Sequence, residues 1–287
     1  MRGPHNILRL IRTGATLERT GAMPVILNAL DAPKTLKFAT RLVVWPFQFL
    51  GRKGDQSLPA APRALTAMGP AYIKFGQILS TRPDVVGQEL ADQLRVLQDK
   101  LPPFSTKVAK QSFKAEIGID ADDVFSAFSE PVAAASIAQV HRGQLRDTGQ
   151  NVAIKVLRPE IERAFQRDID TFYFAARLVE IVSPKSRRLK PMDVIAHFDG
   201  VVRGELDLRL ESASASEFLA NISQDKGFSV PSVNWSLSSR RVMTLDWADG
   251  VPMGDTDALR AAGHNLCELG DRAVSYTHLR AHETTTN

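Results

Sequence analysis

The sequence predicts an α+β fold, helical at its start, with a small antiparallel sheet in its middle and the beginning of a second helical region at its end. Three observations predict it. Apolar residues recur at three- and four-residue spacing from Pro62 to Gly118, the helical period. β-rich runs bounded by turn residues appear only after Pro131. Long helical patterns then separate a first pair of strands from a second.

The 287 residues leave room for about two domains. With 44% hydrophobic residues, 24% charged residues and a mean hydropathy of −0.14, collagen-like, disulfide-dense and globally disordered classes are excluded. A net charge of +4 is too small to argue for nucleic acid, though it suits phosphates or an anionic lipid surface. The single cysteine, Cys267, rules out an internal disulfide framework and a cysteine zinc site, and fits a reducing compartment. No segment approaches the roughly 18–20 apolar residues of a membrane helix. Leu42–Gly51 is uncharged but short, and holds Pro46; Arg9 and Arg12 break the early apolar run that a secretory signal would need. A soluble intracellular chain is the expectation.

In residues 1–60, Pro4, Pro24, Pro33, Pro46 and Pro59 cut a leader into short helical pieces. Lys34, Lys37, Arg41, Arg52 and Lys53 flank the apolar Val43–Leu50. That pattern suits contact with an anionic membrane surface, but helices packed on the main domain explain it more plainly. Leu65, Met68, Tyr72, Phe75, Ile78 and Leu79 mark the next helical stretch, and Leu90, Leu94 and Leu97 a second; Ser105 is placed to cap a third that ends at Gly118. Ile137–Leu145 and Val152–Leu157, joined by residues 146–150, read as a hairpin. Helices are expected from Glu160 to about Val182 and, after the basic break 185–190, from about Met192 to Ile222. Strands near 229–235 and 241–247 and a helix over 259–274 complete the pattern.

Three stretches can carry chemistry. Ala133-Ala134-Ala135-Ser136 precedes one hairpin strand, and Lys155 lies in Val-Ala-Ile-Lys on the other. A turn of small residues lets backbone N–H groups approach phosphates, and an inward lysine adds positive charge. V-A-I-K matches the β3 motif of protein kinases, but alone it is weak, since many strand lysines are only edge charges. Glu205, Asp207, Glu211 and Glu217 form an acidic stretch; on one helix Asp207 and Glu211 share a face, so either could meet Lys155. A solvated acidic face paired with Arg203 and Arg209 is the commoner arrangement. Lys74 and Gln77 lie one turn apart among apolar neighbours, with Gly76 between them at a helix cost of about 1 kcal/mol, which implies a close approach.

Together, Lys74-x-Gly76-Gln77, the alanine-rich Ala133–Ser136 with Gln139-Val140-His141, Lys155, and Glu205-x-Asp207 with Glu211 resemble, in order and spacing, the UbiB (ABC1) family of atypical protein-kinase-like ATPases. The resemblance covers roughly residues 60–270. It implies a variable leader (1–60), a helical K-x-G-Q extension (61–118), a kinase-like N-lobe with a hinge strand (119–247) and the start of a C-lobe (248–274). It implies that Lys155 is the nucleotide-binding lysine and Glu211 its ion-pair partner, that the extension folds Lys74 and Gln77 over the nucleotide site, and that Glu205 and Asp207 face Lys74 across the pocket. Ala133, Ala134, Ala135 and Ser136 would hold ATP phosphates, while Met243, as gatekeeper, and Asp246 would sit on the hinge strand beside the adenine. ATP with Mg²⁺ is the implied cofactor pair. Ubiquinone intermediates of lipid or phenolic kind, their biosynthetic enzymes and the cytoplasmic side of the bacterial inner membrane are the implied partners and place.

The departures concern the chemistry. Neither H-x-D-x-H-P-G-N nor D-F-G, which would supply the catalytic-loop and metal-binding residues, occurs in the chain, so no metal ligand is assigned. Residues 275–287 look like translated sequencing-adaptor sequence, and His278, His282 and Glu283 lack the order of a metal-binding H-E-x-x-H. The expectation is a C-terminally truncated, inactive portion of a UbiB-type protein. A nucleotide-binding scaffold and a small-molecule phosphotransferase are the rivals; the second leaves the K-x-G-Q stretch unexplained.

Overall fold

Alternation between Val152, Ile154 and Val156 places three apolar side chains on one face of a strand and Ala153 and Lys155 on the other. The computed structural model describes residues 5–29, 33–98, 103–182, 190–223 and 228–283. It forms one antiparallel sheet of four strands in chain order: β1 (Phe125–Ala134), β2 (Ala138–Leu145), β3 (Asn151–Leu157) and β4 (Val242–Asp246). The expected hairpin is β2–β3, and its turn is closed by Gly149, whose φ of 71° suits glycine.

β1 was not legible in the sequence. Its run, FSAFSEPVAA, contains a proline and pairs with β2 through three register shifts, so it has no period of two. As an edge strand it tolerates Pro131, which has no N–H to donate. The strand expected at 229–235 shrinks to one bridge, Val233 to Leu245, followed by a 3₁₀ turn at Trp235–Leu237 that the Asn234 side chain caps.

The sheet separates two cores. Val152, Ile154, Val156 and Val242 pack with Phe113, Phe125, Leu145 and Leu237 on one side. Ala138, Leu157 and Met243 face the larger helical core on the other. The helices, in chain order, are α1 (His5–Arg19), α2 (Ala22–Ala29), α3 (Lys34–Val44), α4 (Ala60–Met68), α5 (Pro70–Ser80), α6 (Pro83–Val86), α7 (Gln88–Leu94), α8 (Thr106–Ile117), α9 (Ala121–Val124), α10 (Ile161–Val182), α11 (Pro191–Glu205), α12 (Leu208–Asn221), α13 (Thr256–Ala261) and α14 (Leu266–Glu283). Tyr72 and Phe75 of α5 meet Phe172 of α10 and Phe198 of α11, with Tyr72 and Phe172 edge to face at 4.6 Å. Gly76 makes this packing possible: a Cβ there would lie 2.5 Å from Leu65 and 2.6 Å from Leu97. The close approach expected at Gly76 is therefore to two leucines.

A single helix over 192–222 is corrected to two, α11 and α12. Asp207 ends the first and caps the second by accepting from the Arg209 N–H. The break lets both Leu206 and Leu208 turn into the core, which one continuous helix would forbid two positions apart. Most of the basic break, 185–189, lies outside the described residues. In the leader, α1 packs against α10 and α4. The segment from α3 through a 3₁₀ turn at Trp45–Leu50 instead exposes Phe38, Leu42, Val43, Trp45 and Phe49.

Residues 247–287 form a separate unit. The single helix expected at 259–274 is two, because Gly263 with φ of 83° turns the chain after α13 and the Asn265 side chain accepts from the Cys267 N–H at the start of α14. Among the described residues, no helix is long and apolar enough to cross a membrane.

Candidate nucleotide site

Register brings the candidate residues into one row. Ala133 pairs with Val140, Val140 with Lys155 and Lys155 with Met243, so the four stand side by side on one face across all four strands. Asp246 pairs with Val152 and points to the opposite face, where its carboxylate accepts from Gln150 Nε2 at 2.7 Å and the Ser232 N–H at 3.3 Å. The structure does not bring the Asp246 side chain to the row.

Lys155 leans to α12 and donates to both carboxylate oxygens of Glu211, at 2.6 and 2.7 Å. The second expected contact is half present. Lys74 on α5 meets Glu205 at the end of α11 at 2.6 Å. Asp207 does not face Lys74: it forms two hydrogen bonds to the Arg209 guanidinium, at 2.9 and 2.6 Å, and Arg209 holds its carboxyl below the usual carboxylate range. The physical reason is the cap, which commits the Asp207 side chain to the first turn of its own helix.

Gln77 joins the extension to the alanine-rich turn. Its amide donates to the Leu97 carbonyl at 2.7 Å, and its oxygen accepts from the Ser136 hydroxyl at 3.4 Å. In the turn itself, Ala135 N–H donates to Ala138 O at 2.8 Å, while Arg158 donates twice to Ala135 O from behind. The N–H groups of Ser136 and Ile137 donate to nothing among the described residues. Arg158 was missed from sequence; its position directly after the Val-Ala-Ile-Lys strand was the available clue.

Gln139 and His141, both fully buried, fasten the other face. Gln139 accepts from Phe104 N–H and donates to Phe104 O, each at 3.0 Å. Its amide also reaches His141 Nε2 at 2.9 Å, and His141 Nδ1 reaches Ser129 O at 2.8 Å. Since a carbonyl only accepts, Nδ1 carries the proton and the ring is neutral. Burial pushes its pKa down from the ordinary value.

A nucleotide's phosphates fit this arrangement, with two free amides at a small-residue turn and a lysine on the adjoining row. A divalent metal does not. Among the described residues no three His, Cys, Asp or Glu side chains gather as ligands, and Glu205 and Asp207 already hold cationic partners.

Comparison with known proteins shows the family. The family model described as ABC1 atypical kinase-like domain matches residues 96–284. A protein of Aliivibrio fischeri (strain MJ11) described as "Probable protein kinase UbiB" is 41% identical over 213 residues, covering 74% of this chain and 39% of that protein. One of the same description from Klebsiella pneumoniae is 39% identical over 242 residues, 83% of this chain and 44% of the relative. The chain thus spans about two fifths of the length of these curated relatives. A solved structure, the Rv3197–erythromycin complex from Mycobacterium tuberculosis, is 24% identical with a TM-score of 0.46, over 77% of this chain and 52% of that one. The chain, a kinase-like α+β lobe with a helical extension, belongs to the ABC1 atypical kinase-like family.

Proposed function

We propose that this chain is the N-terminal portion of a UbiB-type ATPase, that it binds ATP at the row of Ala133, Lys155 and Met243, and that the whole protein turns ATP over in support of ubiquinone synthesis. The observation that carries the reading is the two-oxygen contact of Lys155 with Glu211, which holds the lysine on the sheet face that carries Ala133 and Met243. In this reading the Ser136 and Ile137 amides and the Lys155 ammonium neutralise phosphate oxygens, and Glu211 orients the lysine without displacing it. ATP supplies the phosphoryl group; for Mg²⁺, its usual companion, no ligand set gathers among the described residues, and no step is assigned to it.

Lys74 and Glu205 serve as a latch between the extension and the helix break, with lipid or phenolic intermediates as the compounds served. Lys34, Lys37 and Arg41 beside exposed Phe38, Leu42 and Trp45 support peripheral contact with an anionic membrane, the cytoplasmic face of the bacterial inner membrane. A nucleotide-binding scaffold without turnover is the second reading, favoured by the engagement of Glu205 and Asp207 with Lys74 and Arg209. The portion in hand is proposed to lack turnover, and residues 275–287 to be foreign to the protein; resequencing past codon 274 tests both. ATPase assay of the whole protein, with product identification by mass spectrometry, separates turnover from scaffolding and from phosphotransfer to a small molecule.

A further inference from the structure

On the leader side of α5, away from the row of Lys155, lies a cavity of about 450 Å³ lined by Arg9 and Arg12 of α1, Arg52, and Arg167 of α10. Four arginines from three parts of the chain line this one opening, together with a single carboxylate residue, Asp168. None of the four is within ion-pair distance of a carboxylate among the described residues. Arg9, Arg52 and Arg167 are braced by backbone carbonyls of Arg167, Ala67 and Arg163. The Arg12 guanidinium makes no hydrogen bond or ion pair among the described residues; it is the Arg12 carbonyl that is engaged, accepting from the Thr16 hydroxyl at 2.8 Å. Like charges gathered this way repel one another unless an anion lies between them.

The fourth wall is the start of α5. Gly69 and Pro70 line the cavity, and the N–H groups of Ala71 and Tyr72 have no carbonyl one turn back to bond. The partial positive charge of the helix end thus adds to the guanidinium charge at the same opening. The floor is neutral: buried Tyr72 shares a hydrogen bond of 2.9 Å with Thr13, and its pKa is pushed up to about 12 by burial.

We propose that this cavity is a binding site for a phosphate group, held by Arg9, Arg12, Arg52 and Arg167 at the N-terminus of α5. The planar donor forks of arginine suit tetrahedral phosphate oxygens, and four of them with one opposing carboxylate leave three positive charges, of which a phosphate dianion offsets two. The site is separate from the nucleotide row and does not depend on the function proposed for it. Lys74 lies four residues along the same helix, about 6 Å from its start. Occupancy would therefore steady the helix that carries the Lys74–Glu205 pair. The phosphate could belong to a soluble compound or to an anionic lipid headgroup, and the chemistry at the arginines is shared.

The test is thermal unfolding of the 287-residue chain with inorganic phosphate against chloride at matched ionic strength, beside co-sedimentation with vesicles of phosphatidylglycerol or phosphatidylcholine. The variants are Arg12→Gln alone and Arg12→Gln with Arg167→Gln; Lys107→Gln with Arg260→Gln removes the same charge elsewhere. Stabilisation by phosphate, or binding to phosphatidylglycerol vesicles, should weaken about tenfold or more in the double cavity variant and persist in the control pair. Loss in the phosphate arm alone points to a soluble phosphate, and loss in the vesicle arm to a headgroup. Arg12→Gln, whose guanidinium holds nothing in the fold, should show a partial loss. Equal responses of the parent chain, the cavity variants and the control pair in both arms would overturn the proposal.

Discussion

Lys155 on β3 and Glu211 on α12, 56 positions apart in sequence, close a pair in which one ammonium serves both carboxylate oxygens, at 2.6 and 2.7 Å. Their side chains keep 26% and 49% of their exposure, so water screens the attraction. Such pairs contribute at most about 1 kcal/mol to stability. Lys155→Ala should therefore unfold in urea within about 1 kcal/mol of the parent chain. A much larger loss would mean that the pair holds the lobe together and is not kept for a ligand.

The latch between the extension and the α11–α12 break is tested by a double-mutant cycle. Lys74 and Glu205 are less exposed, at 19% and 34%, and meet at 2.6 Å. Combining Lys74→Met with Glu205→Gln should reveal a coupling of about 0.5–1.5 kcal/mol in urea unfolding. Asp207→Asn in place of the Glu205 change should show no coupling to Lys74, because Asp207 is bound to Arg209.

Gly76→Ala sets two effects against each other. Helix propensity favours alanine by about 1 kcal/mol. The added methyl would fall 2.5 Å from Leu65 and 2.6 Å from Leu97, and overpacking of that kind costs about 1–3 kcal/mol. Packing wins, so the variant should be less stable by about 1 kcal/mol, and adding Leu97→Val should return part of the loss.

Two buried groups give opposite pH dependences. The His141 pKa is depressed by burial, so the unfolded chain takes up that proton first and stability falls as pH drops below about 6.5. Burial pushes the Asp168 carboxyl from 3.8 to about 6 against the pull of Arg167, Arg9 and Arg52. A raised carboxyl pKa gives stability that is complete below 3.8 and lost as pH rises through about 6. Asp168→Asn should therefore stabilise the chain by about 1–3 kcal/mol at pH 7.5 and by little at pH 4, read from thermal unfolding across that range. The same change should tighten phosphate binding at neutral pH, because it removes the one negative charge facing the four arginines.

Local pattern carried most of the fold. The β2–β3 hairpin was legible because apolar alternation and a Gly149 turn agree, and α10 because its apolar period runs unbroken from Ile161 to Val182. β1 was hidden by Pro131 and its bulges, and the α11–α12 break by the helical spacing of Leu206 and its neighbours, which persists across a cap visible only in three dimensions. At the site, the resemblance implied a Lys155–Glu211 pair and a Lys74–Glu205 contact, and both contacts are present between elements. It misplaced Asp207 because cap chemistry depends on where the helix starts. The arginine cavity was not legible, since Arg9, Arg52 and Arg167 are far apart in sequence and meet only when α1 packs on α10.

The central claim is that Lys155 is held for a nucleotide. Calorimetric titration of ATP into the whole protein, parent against Lys155→Ala, tests it most directly. The account predicts saturable binding by the parent, weakened by about tenfold or more in Lys155→Ala, with the urea midpoint nearly unchanged. ATP binding of equal affinity in both proteins would contradict it.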